Sequence, residues 1–300
     1  MLANPTAGKG RHRGLLPALV ERLAAAGQPV RLLDARTPED ALTACQVAVA
    51  EGANALVAMG GDGTVHLALQ AVAGTETALG IIPVGTGNDF AESLGLPKDP
   101  DSAADTAAAA LRDGTSRRFD LGKVTGLGAG QGPVVWFGAV LACGFDAIVN
   151  ERANRMRWPR GNRRYDIAIV VELVKLRPRA YTLRLDGRAQ RLEACLLAVG
   201  NTASYGGGMR ICPDADPTDG LLDVVLAGPV SRATFIRIKP MVYGGTHVNH
   251  PAVRAFRAST VEITADDITT YADGERSLPL PVRVTSAPGA LTLLTSAPPR

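Results

Sequence analysis

The sequence predicts an α/β plus all-β protein: a three-layer α/β domain with a parallel sheet, then an antiparallel β-sandwich, with a cleft between them. Three observations carry this. The chain has 300 residues, more than the ~250 at which a single core stops growing. Its first part, to about residue 120, alternates short apolar runs with helical spacings, as a parallel sheet covered on both faces requires. From about residue 117 short β-rich runs separated by turn residues take over.

"MLA" is a strand stub. Leu15, Leu16, Leu19, Val20 and Leu23 follow helical spacing, with Gly27 as the stop. "VRLLDA" reads as a strand. In "TPEDALTACQVAVAEG", Thr37 is the N-cap, Pro38 fits the first helical position and Gly52 closes the helix. Then come "NALVAM" (strand), "TVHLALQAV" (helix), "TALGIIPVG" (strand) and two helices, "NDFAESLG" and "DSAADTAAAALRDG". The second half offers "RRFDLGKV", "PVVWFGAVLA", "AYTLRLDG", "RLEACLLAVGN", "LLDVVLAG", "VEITADD", "PVRVTSAPG" and "ALTLLT" as strands, interrupted by one helix from about Arg163 to Leu176. The expected boundaries are 1–122 for the α/β domain and 123–290 for the sandwich. Residues 291–300 are expected as a tail packing back on the first domain.

A net charge of +3 is too mild for bulk nucleic-acid binding, so nucleic acid is excluded as a partner. Cys45, Cys143, Cys195 and Cys212 form no CxxC pair and read as buried free thiols of a reducing compartment. The turn-like start "MLANPTAGKG" gives no signal peptide, and no apolar run reaches the ~20 residues of a membrane span. The expectation is a cytoplasmic protein with peripheral contact at the inner face of the membrane.

Ligands of open parallel sheets sit beyond the carboxyl ends of the strands. "NPTAGKGR", "GGDGT" and "PVGTGNDF" lie at such ends and lead into helices, whose N–H groups favour phosphate. Gly60, Gly61 and Gly63 let backbone amides approach a polyphosphate. Asp62 and Asp89 would repel bare phosphate but make sense with Mg²⁺ between carboxylate and phosphate oxygens. A lone GGDG is compatible with an ordinary turn; its echo in "GTGND" makes the pair an ATP–Mg²⁺ site. "GKGRHRG" fails the Walker A spacing, and "GLGAGQG" between strands is a hairpin rather than a dinucleotide fingerprint.

With "NPTAGKG", "GGDGT", "PVGTGNDF", "FDLG", "GFDA", "GNTASYGGGMRICPDADPTDGLLDV" and "ADGE" in this order, the chain resembles the diacylglycerol kinase catalytic-domain family of soluble lipid kinases. The resemblance runs from Asn4 to about Glu275. It implies a nucleotide between the two domains, with ATP surrounded by Asn4, Pro5, Thr6, Ala7, Gly8, Thr37, Gly60, Gly61, Asp62, Gly63, Thr64, Val65, His66 and Thr86. It implies that Asp62, Asp89 and Asp120 shape a water and Mg²⁺ network, and that Glu275 is the general base. It also implies a second, structural Mg²⁺ site from Asp219, Asp216 and the backbone of Leu221. The residues alone leave that acidic turn open between a cation site and a solvated loop. Pairing into homodimers is a further family expectation. Two departures stand out: His66 replaces a frequent Asn, and Glu92 replaces a frequent Arg, which removes a positive charge near the phosphates. His66 is expected to have a structural role near the start of its helix.

"ERANRMRWPRGNRRYD" sets Arg152, Arg155, Arg157, Arg160, Arg163 and Arg164 around Met156 and Trp158. It reads either as a membrane-docking edge or as a solvated arginine-rich helix start. "DIAIVVELVKL", apolar nearly all round, reads as a buried helix in preference to an acyl-channel wall. The function expected is transfer of the ATP γ-phosphate to a lipid hydroxyl, foremost diacylglycerol at a membrane surface. The alternatives are an NAD-kinase-like phosphotransferase, whose Asn-Glu element is missing here, and a non-catalytic lipid- or nucleotide-binding regulator.

Overall fold

A computed structural model describes residues 1–4, 13–27, 29–128, 132–156, 158 and 163–295. It divides into two units, one made of Met1–Leu121 with the chain from Pro288 onward, the other of Gly122–Ala287.

The N-terminal unit runs β1 (Leu2–Ala3), a 3-10 turn (Arg13–Leu15), α1 (Leu16–Ala24), α2 (Pro38–Ala50), β2 (Ala55–Gly60), α3 (Asp62–Val72), β3 (Ala78–Pro83), α4 (Asp89–Ser93), α5 (Pro100–Asp113) and the start of β4 (Ser116–Gly126). β1, β2 and β3 pair in parallel, with Leu2 opposite Ala58 and Leu56 opposite Leu79. The last strand among the described residues, Val282–Leu294, adds to β3 in parallel through Leu293 and Leu79. All six residues of β3 are buried, as a strand covered on both faces must be. Local signals set the helix ends: Thr37 and Asp40 form a reciprocal capping box behind Pro38, and Gly114 ends α5 at φ 65°. The alanines of α5, Ala104, Ala107 and Ala108, pack with Leu19, Leu23 and Ile82 in one core.

"VRLLDA" is not a strand. It makes a single bridge, Leu2 to Leu33, because β1 has only two residues and offers too short an edge to pair. Leu32 is left exposed.

The C-terminal unit continues with β5 (Val134–Phe137), β6 (Val140–Ala142), α6 (Phe145–Arg155), α7 (Arg163–Val174), β7 (Arg179–Leu185), β8 (Arg188–Ala194), β9 (Leu196–Gly200), β10 (Leu222–Ala227), α8 (Arg232–Tyr243), a 3-10 turn (Thr246–Asn249), β11 (Val253–Ala258), β12 (Thr260–Thr264), β13 (Thr269–Ala272), β14 (Glu275–Pro279) and β15 (Val282–Leu294). One antiparallel sheet has the order β11-β10-β9-β6-β13-β14, and β15, β12, β7 and β8 form a second antiparallel run. Their inward side chains, among them Phe137, Leu141, Tyr181, Val224, Val261 and Tyr271, make one core. The buried Tyr181 hydroxyl is satisfied by donating to the Cys143 carbonyl at 2.9 Å.

Among the described residues three helices, not one, interrupt the strands of this unit. α8 was hidden by Pro240 in its interior and is started by a Ser231 cap on the Thr234 N–H at 3.1 Å. "PVVWFGAVLA" breaks after Phe137, and "PVRVTSAPG" and "ALTLLT" join into the single strand β15, with Gly289 at φ 61° inside it. α7 is not a buried helix: Ala168 is its one buried residue among the described positions. All four cysteines are buried and free.

Candidate active site

β2 ends at Gly60, and the "GGDGT" segment is not a free loop. Gly61 caps α3, and Asp62 is already its first helical residue. An acid there suits the positive end of the helix dipole. The glycines are required sterically. A Cβ on Gly60 would stand 2.2 Å from the Thr64 Oγ1, and one on Gly85 would stand 2.4 Å from the Gly61 Cα. The two glycine loops therefore touch backbone to backbone.

Asn88 locks them together. Its N–H donates to Asp62 Oδ2 at 2.8 Å, while its side chain accepts from the Gly85 N–H at 3.1 Å and donates to the Gly85 carbonyl at 3.2 Å. It does so from the left-handed region, φ 59°, which Asn tolerates better than other side chains. A Cβ on Gly87 would come within 2.7 Å of Asp62 Oδ2 and 3.4 Å of Asp89 Oδ2. Two carboxylates thus converge beside a position kept open by a missing side chain. Asn4 joins the same group, its amide reaching Thr64 Oγ1 at 3.4 Å and its N–H the Met59 carbonyl at 2.9 Å.

The other predicted residues fall as follows. Gly63, Val65 and His66 lie in α3, and His66, buried, sits 3.4 Å from the Gln70 amide nitrogen. Thr86 is exposed between the two glycines of the second loop. Thr37 spends its hydroxyl and N–H on the Asp40 capping box. Asp120, buried on β4, accepts the Gly289 N–H at 2.7 Å. Pro5, Thr6, Ala7 and Gly8 lie outside the described residues, as do Arg157 and Arg160. Glu92 pairs with Lys98 at 2.7 Å on the surface.

In the C-terminal unit, Glu275 is exposed at the first position of β14, opposite Ala272. The Asp273–Gly274 turn before it has φ 52° and 86°, the conformation that Asp-Gly hairpins favour. Asp273 does more than turn the chain. Its carboxylate accepts the N–H groups of Gly138, Ala139 and Val140 at 2.9, 2.8 and 3.2 Å. Asn201 holds the same segment from the other side, donating to the Gly138 carbonyl at 2.8 Å. Sequence reasoning passed over Asn88, Asp273 and Asn201; the usable signals were an Asn before a short helix and an Asp-Gly pair between strands.

The acidic turn is held partly by its own backbone and hydroxyl groups and partly by Arg257. Asp216 accepts from Thr218, and Asp219 Oδ1 accepts the Leu221 N–H at 2.9 Å. The other oxygen of Asp219 pairs with Arg257, whose Nε lies 3.4 Å from Asp223. Burial, with Asp214 adding to it, pushes the Asp223 carboxyl up to about 6. Among the described residues no cluster of three or more His, Cys, Asp or Glu side chains is poised to hold a metal ion. The aspartate of the "GFDA" motif, Asp146, accepts from the Tyr205 hydroxyl at 2.9 Å, and burial pushes its carboxyl up to about 6. A cavity of about 420 Å³ in this unit is lined by Ala147, Ile148, Glu151, Arg152, Met156 and Thr269, among others.

Two family descriptions match in tandem: the diacylglycerol kinase catalytic domain over residues 1–124, and the YegS C-terminal NAD kinase beta sandwich-like domain over residues 139–295. A diacylglycerol kinase of Mycobacterium tuberculosis (strain CDC 1551 / Oshkosh) is 44% identical over 295 residues, 98% of this chain and 93% of the relative. The chain belongs to the diacylglycerol kinase family. It is a kinase, and its α/β and antiparallel β units are those of the family fold. The crystal structure of a diacylglycerol kinase from Bacillus anthracis str. Sterne has that fold, with a TM-score of 0.72 at 23% identity over 98% of this chain and 95% of that one. An NAD kinase from Archaeoglobus fulgidus solved in complex with ATP shares the fold more distantly, with a TM-score of 0.55 at 16% identity over 94% and 90% of the two chains. Among the described residues of this kinase, no helix is long and apolar enough to cross a membrane.

Proposed function

We propose that this diacylglycerol kinase family member transfers the γ-phosphate of ATP to the free hydroxyl of diacylglycerol, giving phosphatidic acid and ADP, with Mg²⁺ as the accompanying cation. The observation that supports the substrate most directly is the 44% identity, almost end to end, with a protein described as a diacylglycerol kinase. The glycine hub supports the donor half of the reaction. Backbone amides at Gly60, Gly61 and Gly63, with Thr64 and Thr86, would cradle the phosphates where side chains are excluded.

The carboxylates of Asp62 and Asp89, converging beside Gly87, are hard oxygen donors of the kind Mg²⁺ takes. The cation would offset phosphate charge as the terminal phosphoryl group departs. Asp62 would be held in register by Asn88, and Asp120 would contribute through water. Asp216, Asp219 and the Leu221 carbonyl form a second oxygen set, with Arg257 already balancing part of its charge.

Glu275 takes the remaining role. As the acceptor oxygen bonds to phosphorus and the bridging oxygen leaves with ADP, the hydroxyl proton passes to the Glu275 carboxylate. A carboxylate is a weak base toward an alcohol, so this transfer comes late, once bonding to phosphorus has made the hydroxyl acidic. The direct test is transfer of labelled γ-phosphate from ATP to diacylglycerol in mixed micelles, comparing wild type with Glu275→Ala and Asp62→Ala. Loss in both variants with folding intact supports the assignment. ATP binding without transfer by wild type would overturn diacylglycerol as the acceptor.

A further inference from the structure

The hairpin that carries Glu275 sits where a sheet constrains its strands least. β14 is the last strand of its sheet and pairs with β13 alone among the described residues. The register of that pair shifts between Thr269 and Tyr271. A short edge strand beyond such an irregularity has few backbone bonds to fix its angle. The aim of Glu275, its first residue, then depends on what holds the hairpin from outside the sheet. One hold is Asp273, which fastens the turn to the N–H groups of Gly138, Ala139 and Val140.

The other comes from α6. Glu151 and Asn154, three residues apart on one face of that helix, reach Tyr271 and Arg276, which stand opposite each other in the hairpin. Glu151 Oε2 accepts the Tyr271 hydroxyl at 2.8 Å and Arg276 Nε at 3.1 Å, and the Asn154 amide donates to the Tyr271 hydroxyl at 3.2 Å. Arg276 also donates to Thr269 Oγ1 at 3.4 Å, spanning the register shift. Glu151 Oε1 accepts Arg155 Nε and Nη2 at 3.0 and 2.7 Å, so both oxygens are engaged. Burial alone would raise the Glu151 carboxyl, but Tyr271, Arg276 and Arg155 hold it below the usual range. The Arg276 side chain is 57% exposed, and an ion pair so open to solvent adds little stability. What it contributes is direction. Successive side chains of a strand leave on opposite faces, so anchoring Arg276 on α6 sets the direction in which Glu275 leaves.

We propose that Glu151 is a positioning residue for phosphate transfer: with Tyr271 and Arg276 it clamps the β13–β14 hairpin to the end of α6 and so aims the Glu275 carboxylate at the acceptor hydroxyl. This rests on the general-base reading of Glu275 above and deepens it. Glutamine at 151 would keep the shape of the side chain but offer a single acceptor oxygen. It could not serve the hairpin and Arg155 on two separate oxygens, as the carboxylate does.

The test is a set of variant combinations in the full chain, assayed for kcat and KM with ATP and a short-chain, water-soluble diacylglycerol. Calorimetry gives ATP affinity, and a thermal melt checks the fold. Glu151→Gln should lower kcat about tenfold or more, with ATP affinity and thermal midpoint close to wild type. Arg276→Gln should do the same, and the double variant should be no worse than either alone. In a Glu275→Gln background, Glu151→Gln should lower kcat no further, because no base is left to aim. An equal loss in both backgrounds is the mark of a general structural effect and would overturn the proposal, as would a wild-type kcat in Glu151→Gln. Backbone amide exchange gives a reading that does not depend on the acceptor: residues 271–276 should exchange faster in Glu151→Gln, and unchanged exchange there would also overturn the clamp. Full kcat in Glu275→Gln would overturn the general-base reading and the clamp's role with it. A fall in Glu275→Gln beside an unaffected Glu151→Gln would remove the clamp alone.

Discussion

The Asn88 N–H donates to Asp62 Oδ2 at 2.8 Å, joining two glycine loops that are 26 residues apart in sequence. Because the donor is a backbone group, the position of the Asp62 carboxylate is fixed by the path of the second loop. Rigidity in this site therefore comes from chain geometry as much as from side chains.

Crowding that geometry is the sharpest probe. Gly87→Ala would place a methyl group 2.7 Å from Asp62 Oδ2, displacing the carboxylate with little effect on the core. The expected outcome is a KM for ATP raised at least about tenfold with a thermal midpoint close to wild type. Gly85→Ala meets the Gly61 Cα at 2.4 Å, where only backbone can yield, and should cost about 1–3 kcal/mol of stability in a denaturant melt.

Glu275 separates chemistry from folding. It is exposed at the start of β14, so Glu275→Gln should change stability by no more than ~0.5 kcal/mol. If it accepts the hydroxyl proton, kcat should fall by about 10²–10⁴ while ATP affinity, read by calorimetry, stays unchanged.

Asp273 should behave in the opposite way. Asp273→Ala removes an acceptor for three N–H groups and leaves a Cβ residue at φ 52°. A loss of about 2–4 kcal/mol is expected in chemical denaturation. Asp273→Gly relieves the backbone but not the N–H groups, so it should recover only part of that loss.

Asp146 predicts a pH signature. Burial raises its folded-state carboxyl to about 6, against the hydrogen bond from Tyr205. The native state holds the proton more tightly than the unfolded chain does. This contribution to stability is therefore complete below the ordinary carboxyl range and is lost as pH rises through about 6. Asp146→Asn, which still offers Tyr205 an acceptor, should raise the thermal midpoint at pH above neutrality and leave it unchanged in acid. A pH-independent shift would contradict this.

The alternation of the first unit was readable because β2 and β3 are unbroken apolar runs between helices with clear caps, such as Thr37 and Gly114. The fate of "VRLLDA" was not, since pairing depends on the partner's length and β1 is two residues long. The direction of α7 was invisible for another reason. With apolar residues on nearly every face, no periodicity distinguishes the side that packs from the side that does not. At the candidate site the glycines and acids announced themselves. Asn88 and Asp273 did not, because their work is done by contacts with backbone that is distant in sequence.

The N-terminal unit has one further consequence, for biosynthesis. Its β3 has β2 on one side and β15 on the other, and the stretch from Pro288 is translated only after all of Gly122–Ala287. A nascent chain leaving the ribosome therefore carries the apolar edge "ALGIIP" uncovered until the stretch from Pro288 has emerged. Such an edge is a template for wrong pairing. During that interval the unit should be a client for chaperones, and an early stop codon just before Pro288 should yield an aggregating product rather than a smaller enzyme.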